Sequence, residues 1–285
     1  MQQPIIKQRL NSTQPYTSNM VINKTQQVIV PIRQESDDEI SKRIKERFEI
    51  MEDLVDMSIS GRSRSLIISG PAGLGKSYTV EQKLNKLPDE QYTISKGFIR
   101  PTGLYRLFFE HCSKNNVIAF DDSDSLFFDE NSINLLKNAC DTTDRRILSW
   151  RAETNMKDNS GDVLPTSFEY EGSAIFITNK DFDDMIESKD KMAPHYEALI
   201  SRSYYISLTM KTRRDYFIRI RDVITDEGML SDIITANQID VVLKYIEENL
   251  NNLREVSLRI ALKIAGIMND HPNKWRRMSD VTCCR

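Results

Sequence analysis

The feature that most constrains this chain is Gly70-Pro71-Ala72-Gly73-Leu74-Gly75-Lys76-Ser77, a GxxxxGKS run. It follows Ser65-Leu66-Ile67-Ile68-Ser69, an apolar run too short for a helix, and opens residues 76–86, which read as a helix. Strand, glycine-rich turn and helix in that order build an anion site. Glycines let backbone N–H groups converge, the helix N-terminus adds partial positive charge, and a lysine adds a full one. The anions such a loop holds are phosphates, with Lys76 reaching the β- and γ-phosphates of a nucleotide and Ser77 ligating Mg²⁺. The expected binding residues are Gly70, Pro71, Ala72, Gly73, Leu74, Gly75, Lys76, Ser77 and Tyr78.

A second run, Val117-Ile118-Ala119-Phe120-Asp121-Asp122-Ser123-Asp124, delivers carboxylates at the C-terminal end of an apolar strand. Asp121 there lies beside the phosphate loop and holds Mg²⁺ through water, so Ser77 and Asp121 are the expected metal ligands. Asp122 would polarise an attacking water. Between and beyond these runs, residues 92–95 and 174–177 read as strands, and residues 102–114 and 131–139 as helices. Strands alternating with helices imply an α/β fold, a parallel sheet covered on both faces. Ahead of it, Ser36-Asp37-Asp38-Glu39 looks like a helix start, and Ile40, Ile44, Phe48, Met51 and Leu54 recur at helical spacing. From about residue 210 the pattern is purely helical, with candidates at 216–224, 236–250, 253–268 and 275–278. The expected organisation is therefore a flexible polar arm over 1–35, with a short strand at Val28-Ile29-Val30, then an α/β nucleotide-binding domain over 36–208. A hairpin insertion at about 147–172 interrupts that domain, and a small all-α lid subdomain occupies 209–285.

Composition narrows the class. Lys+Arg 39 against Asp+Glu 42 gives net −3, which does not describe a polycationic DNA-coating protein. The charge is uneven: residues 1–35 carry four basic residues and one acidic, and residues 260–285 carry five basic and two acidic. Hydrophobic residues at 39% can build a core, and no run approaches the ~18 uncharged apolar residues of a membrane span. The start, MQQPIIKQRL, lacks a signal peptide's apolar stretch, and four cysteines without CxxC spacing make neither a disulfide framework nor a zinc site. The expectation is a cytoplasmic protein without a membrane partner, in the host cytoplasm if viral.

The two chemical runs make residues 40–285 resemble AAA+ ATPases. Asp121-Asp122-Ser123-Asp124 resembles that family's acidic box, with Asp122 where the family has Glu. Asp is one methylene shorter, which implies slow turnover. Ala174-Ile175-Phe176-Ile177-Thr178-Asn179 resembles the sensor 1 strand, whose polar tip, Asn179, contacts the attacking water or γ-phosphate. Ala198-Leu199-Ile200-Ser201-Arg202-Ser203 resembles the arginine-finger segment, in which Arg202 would reach a neighbouring subunit's γ-phosphate. Asn252-Leu253-Arg254-Glu255-Val256 resembles the start of the sensor 2 helix. Arg254 would contact the γ-phosphate in cis, with Arg259 the competing candidate. The resemblance thus implies Mg²⁺-dependent ATP hydrolysis by Lys76, Asp122, Asn179, Arg202 and Arg254, with ATP and Mg²⁺ as cofactors. A finger acting in trans implies a homo-oligomeric ring or spiral, commonly a hexamer. Arg145-Arg146 reads either as a second trans contact or as charges offsetting a helix dipole.

Two segments lie where AAA+ rings line their pore. Lys96-Gly97-Phe98-Ile99-Arg100 pairs an aromatic with basic residues, suited to an unfolded peptide or a nucleic-acid backbone; alternatively Phe98 and Ile99 pack into the core. The hairpin over 147–172 either grips substrate or pads an interface. Gly103-Leu104-Tyr105-Arg106, the acidic box, Ser149-Trp150 and Phe168-Glu169-Tyr170-Glu171-Gly172 also resemble AAA+ ATPases of large tailed phages. Three outputs stand open: a nucleic-acid motor or loader in phage DNA metabolism, a protein remodeller working with a protein substrate or adaptor, and an ATP-controlled assembly switch.

Overall fold

Apolar runs bounded by glycine and polar turns make the central sheet. The computed structural model describes residues 35–151, 156–158, 161–189 and 191–285. The expected arm, its strand at Val28-Ile29-Val30, and part of the polar stretch between 152 and 160 lie outside the described residues. Five strands, β1 (Ser65–Ser69), β2 (Tyr92–Lys96), β3 (Val117–Asp121), β6 (Ser173–Thr178) and β7 (Tyr204–Ser207), form one sheet in the order β2-β3-β6-β1-β7, every pairing parallel. The three inner strands are buried from end to end, as a sheet covered on both faces requires, whereas the edge strands β2 and β7 are only partly buried. The remaining two strands, β4 (Ile147–Ser149) and β5 (Ser167–Glu169), pair antiparallel as a separate hairpin. A further bridge between Lys157 and Val163 continues that hairpin outward.

Side chains alternate across the sheet. Leu66, Ile68, Val117, Ala119, Ile175 and Ile177 lie on the face covered by α1 (Asp37–Ile59), in one core with residues of α2 (Lys76–Leu84) and of the C-terminal helices α8 (Arg213–Asp226), α9 (Ala236–Glu248), α10 (Leu258–Asp270) and α11 (Trp275–Cys283). Ile67, Ile118, Phe120, Ala174 and Phe176 face α3 (Pro101–Glu110), α4 (Ser125–Phe128), α5 (Glu130–Ala139), α6 (Phe182–Glu187) and α7 (Ala193–Ile200). On that second face the Phe120 and Phe176 rings stack at 5.1 Å, fixing β3 against β6. The C-terminal helical subdomain shares the first core rather than burying one of its own, and residues 35–285 cluster as one unit.

Helix ends follow local chemistry. Ser36 and Glu39 cap α1 reciprocally, Glu39 N–H donating to Ser36 Oγ at 3.3 Å and Ser36 N–H to Glu39 Oε2 at 2.8 Å. Met51 and Val55, one turn apart, are both fully buried, and Leu54 is only half-buried. The last long helix starts later than its apolar pattern suggests. Ser257 caps α10, accepting from Ile260 N–H at 3.3 Å, so the helix begins at Leu258 and not at residue 253. Residues 252–256 instead run against the C-terminus: Arg254 N–H donates to Cys283 O at 2.9 Å, and Arg285 N–H to Asn252 O at 2.8 Å.

Arg146 closes the C-terminal end of α5 onto the hairpin. Its buried guanidinium donates to Ala139 O at 2.7 Å and Gly172 O at 2.9 Å and lies 4.9 Å from the Tyr170 ring centre. Of the two readings of Arg145-Arg146, this is the helix-end one for Arg146. Exposed Arg145 pairs with Glu169 at 2.9 Å. Arg146→Ala strands two buried carbonyls and is expected to lower unfolding free energy by about 3 kcal/mol, read by urea titration. A loss below about 1 kcal/mol would mean that other contacts hold the hairpin.

Candidate functional site

In a parallel sheet the C-terminal strand ends share one edge, and here they bring the two sequence motifs together. Ser69 pairs with Thr178 and Asp121 with Ile177, so the phosphate loop, the acidic run and the tip of β6 emerge side by side. β6 separates β1 from β3 in the sheet, and the first turn of α2 spans that gap: Ser77 Oγ donates to Asp121 Oδ1 at 2.7 Å.

The loop's conformation depends on glycine at two places. Gly73 (φ 75°) and Gly75 (φ 99°) are left-handed, and a Cβ on Gly73 would fall 2.6 Å from Ser257 Cβ. Lys76 is buried, with Nζ donating to Gly70 O at 2.6 Å, Pro71 O at 2.8 Å and Asn179 Oδ1 at 3.1 Å. Burial pushes its ammonium down to about 8, against the opposing pull of the Asp122 and Asp121 carboxylates. Asn179 Nδ2 in turn donates to Asp122 Oδ1 at 2.9 Å, so Lys76, Asn179 and Asp122 form one chain of hydrogen bonds. Asp122 adopts a left-handed backbone (φ 51°), with its N–H on Ile177 O at 3.2 Å. Strain of that kind is held only where the surroundings over-determine it, and here β6 does so. Asp124 accepts from Thr178 Oγ1 at 2.6 Å, tying the acidic run to the same strand.

These groups open on a cavity of about 590 Å³, within the range of small-molecule sites. Its lining includes polar Lys76, Ser77, Asp122, Asn179, Arg219 and Arg259, apolar Val223, Met229, Leu258 and Leu262, and the carboxylates Glu227 and Asp232. Tyr78, 63% exposed, borders it from α2. The donor set suits a divalent cation beside phosphate: a hydroxyl and a carboxylate already in contact at the head of a helix. Among the described residues no group of three or more His, Cys, Asp or Glu offers a self-sufficient metal site, so a cation held here would need oxygens from its ligand.

Of the two competing lid arginines, Arg259 lines the cavity and Arg254 does not. Arg254 lies on the extended segment before α10 and donates to Cys284 O at 2.8 Å. The late start of α10 leaves Arg254, expected to make a cis contact, off the cavity lining. Arg202 lies at the opposite end of the sheet. Its carbonyl accepts from Ser65 Oγ at 3.1 Å, at the first residue of β1, whereas the phosphate loop follows the last. A five-residue strand spans about 13–17 Å, so Arg202 stands away from its own cavity. There it donates to Ala198 O at 2.6 Å and lies 3.9 Å from Asp141.

The basic-aromatic loop divides. Phe98 is 77% exposed, while Ile99 packs against the second core. Lys96 lies 3.7 Å from Asp121 and 3.5 Å from Glu81, at the acidic site rather than out in the loop. Arg219 went unnoticed in the sequence, although it occupies an inward position of the 216–224 pattern, between Tyr216 and Val223 at helical spacing. It is buried beside the phosphate loop.

Among known proteins, the chain is 35% identical over 249 residues to the "Uncharacterized 36.7 kDa protein in nrdC-mobD intergenic region" of Enterobacteria phage T4, covering 86% of this chain and 76% of that protein. The chain belongs to the family of that T4 protein. No family model matches the sequence. Solved structures with partial likeness include NtrX from Brucella abortus in complex with ADP (TM-score 0.48, 12% identity, 84% of this chain) and a Thermotoga maritima RuvB mutant (TM-score 0.45, 13% identity, 87% of this chain). The chain spans about half the length of that NtrX chain and 72% of the RuvB chain. At those scores the likenesses carry no functional argument. No helix among the described residues is long and apolar enough to cross a membrane.

Proposed function

We propose that this member of the T4 36.7 kDa protein family is a Mg²⁺-dependent AAA+ ATPase whose site is completed by a neighbouring copy of the chain. One observation carries the reading. Lys76, Ser77, Asp122 and Asn179, from three separate stretches of sequence, line one cavity, Lys76, Asn179 and Asp122 joined by hydrogen bonds and Ser77 bonded to Asp121 beside them. In an ordinary strand-to-helix turn there is no reason for a buried lysine, two carboxylates and an amide to meet.

Each residue then has a task in phosphoryl transfer, where catalysis is positioning plus electrostatics. The amides of residues 73–78 cradle phosphate oxygens, and Lys76 brings positive charge to the β- and γ-phosphates. Ser77 and Asp121 would hold the Mg²⁺ that neutralises phosphate charge. Asp122 accepts the proton of the attacking water, and Asn179, hydrogen-bonded to both Asp122 and Lys76, aligns the water's side of the site with the phosphate's side. Arg259 supplies cationic charge from the lid. Val223, Met229, Leu258 and Leu262 offer apolar contact to the base. Arg202, remote from its own cavity, serves the cavity of the next subunit, and this requirement supports a ring or spiral.

For the output we favour a nucleic-acid motor or loader in phage DNA metabolism. Its support is the T4 relative, the exposed Arg100 beside Phe98, and five basic residues against two acidic over 260–285. The 77% exposure of Phe98 favours a second reading, a protein remodeller, because an aromatic on a loop can wedge against a polypeptide.

Three outcomes are expected. Arg259→Ala slows ATP turnover by at least tenfold while Arg254→Ala leaves it within about twofold, compared by steady-state phosphate release; equal effects would remove Arg259 from the site. Arg202→Ala and Asp122→Asn are each inactive alone, but mixing them restores part of the rate, since each repairs the other's defective site. No recovery at any ratio would place the finger elsewhere. Turnover rises with single-stranded or duplex DNA more than with RNA or an unfolded protein; stimulation by the protein alone would select the remodeller.

A further inference from the structure

The lid grips the phosphate loop. Two consecutive loop carbonyls are each held by a lid helix. Leu258 N–H, at the start of α10, donates to Gly73 O at 2.9 Å. Arg219 Nε, in the middle of α8, donates to Leu74 O at 3.4 Å. Ser257 leaves no room for a side chain on Gly73, so lid and loop touch at backbone distance.

Arg219 makes more of this junction than one hydrogen bond. Its guanidinium carbon lies 3.7 Å from the centre of the Phe48 ring of α1. Nη1 lies 3.5 Å from Glu227, which lines the cavity. A Cβ on Gly75 would be 3.7 Å from Nη2. One buried cation thus touches the loop, α1 and the residue after α8, and it lines the cavity itself. The planar fork of arginine allows this; a lysine ammonium would have to choose among these partners.

We infer that Arg219 is a positioning residue of the nucleotide site, which presets the phosphate loop and couples its occupancy to the position of the lid. The inference rests on the nucleotide reading above. Its physical basis is the peptide joining Leu74 to Gly75. The carbonyl that accepts from Arg219 and the N–H of Gly75 belong to the same peptide group, so a cation on the carbonyl polarises the N–H toward an anion. Holding the carbonyl also keeps the left-handed Gly75 turned so that its N–H faces into the loop. Lid movement that withdraws α8 would remove both effects, and a bound polyphosphate would resist that withdrawal.

The full-length chain tests this with Arg219→Met, Arg219→Lys and, as a packing control, Phe48→Leu. The measurements are ADP affinity by calorimetry in the presence of Mg²⁺ and thermal unfolding without nucleotide. Methionine keeps apolar bulk over Phe48, and the carboxylate it leaves unpaired, Glu227, is half-exposed, so the cost in stability is confined to the Leu74 carbonyl. Arg219→Met is therefore expected to unfold within a few degrees of the wild-type temperature yet bind ADP about 10- to 100-fold more weakly. Arg219→Lys is expected to lose affinity too, and Phe48→Leu to lower the unfolding temperature with affinity kept within about threefold. A merely structural arginine would move stability and affinity down together. Folded Arg219→Met or Arg219→Lys protein that binds ADP within twofold of wild type overturns the inference, as does a loss of affinity in Phe48→Leu equal to that in Arg219→Met. If Arg219→Met fails to fold, Arg219→Lys decides alone. A wild-type chain that binds no ADP overturns the nucleotide reading itself, and this inference with it.

Discussion

The hydrogen bond from Ser77 to Asp121 is the joint on which the rest of the site depends. It connects the head of α2 to the end of β3 across an intervening strand, at 2.7 Å. For that distance to arise, β1, β6 and β3 must run parallel and end level, which their register gives. Their levels are fixed in turn by cores on both faces. Leu66, Ile68 and Ile177 pack on one side, and Ile67, Phe120 and Phe176 on the other. Chemistry at the sheet edge is thus a consequence of burial in its interior.

In the ATPase proposed above, the same geometry would divide the work between copies. The groups at the C-terminal end of the sheet would act on a nucleotide in cis, whereas Arg202 lies two residues before β7, at the far end. A group at the wrong end of its own sheet serves a site only if another subunit's sheet edge lies against it. The lid stands in a different relation: α8 and α10 touch the loop's carbonyls directly and share the core beneath it. Loop and lid are therefore joined directly within the chain; in the proposed ATPase a bound nucleotide would join them, and Arg202 would connect that unit to the next.

The sheet and the phosphate loop were legible in the sequence because their signals are local: continuous apolar runs, glycines at fixed spacing, a lysine and serine opening a helix. Asn179 was legible through its order along the chain, as the polar tip of the last buried strand before Arg202. The lid arginines were not settled by pattern. The apolar period runs back to Leu253, but Ser257 competes for the helix start by capping it, and backbone bonds with Cys283 and Arg285 hold the preceding residues extended. That shift of five residues exchanges Arg254 for Arg259. Lys96 read as a loop cation because nothing local reveals Asp121 on the neighbouring strand. Arg219 was hidden for the opposite reason: a charge at an inward helical position looks like a flaw in the pattern until the carbonyl, ring and carboxylate around it are known.

Whether the Lys76, Ser77 and Asp121 cluster works as a nucleotide site is read from ATP hydrolysis by the purified full-length chain, followed over protein concentration with and without Mg²⁺, alongside Lys76→Ala. The expected turnover requires Mg²⁺, rises per subunit as concentration drives assembly, and vanishes in Lys76→Ala. Turnover that survives in Lys76→Ala, or none in the wild type at any concentration with nucleic acid or unfolded protein present, would contradict a nucleotide site there.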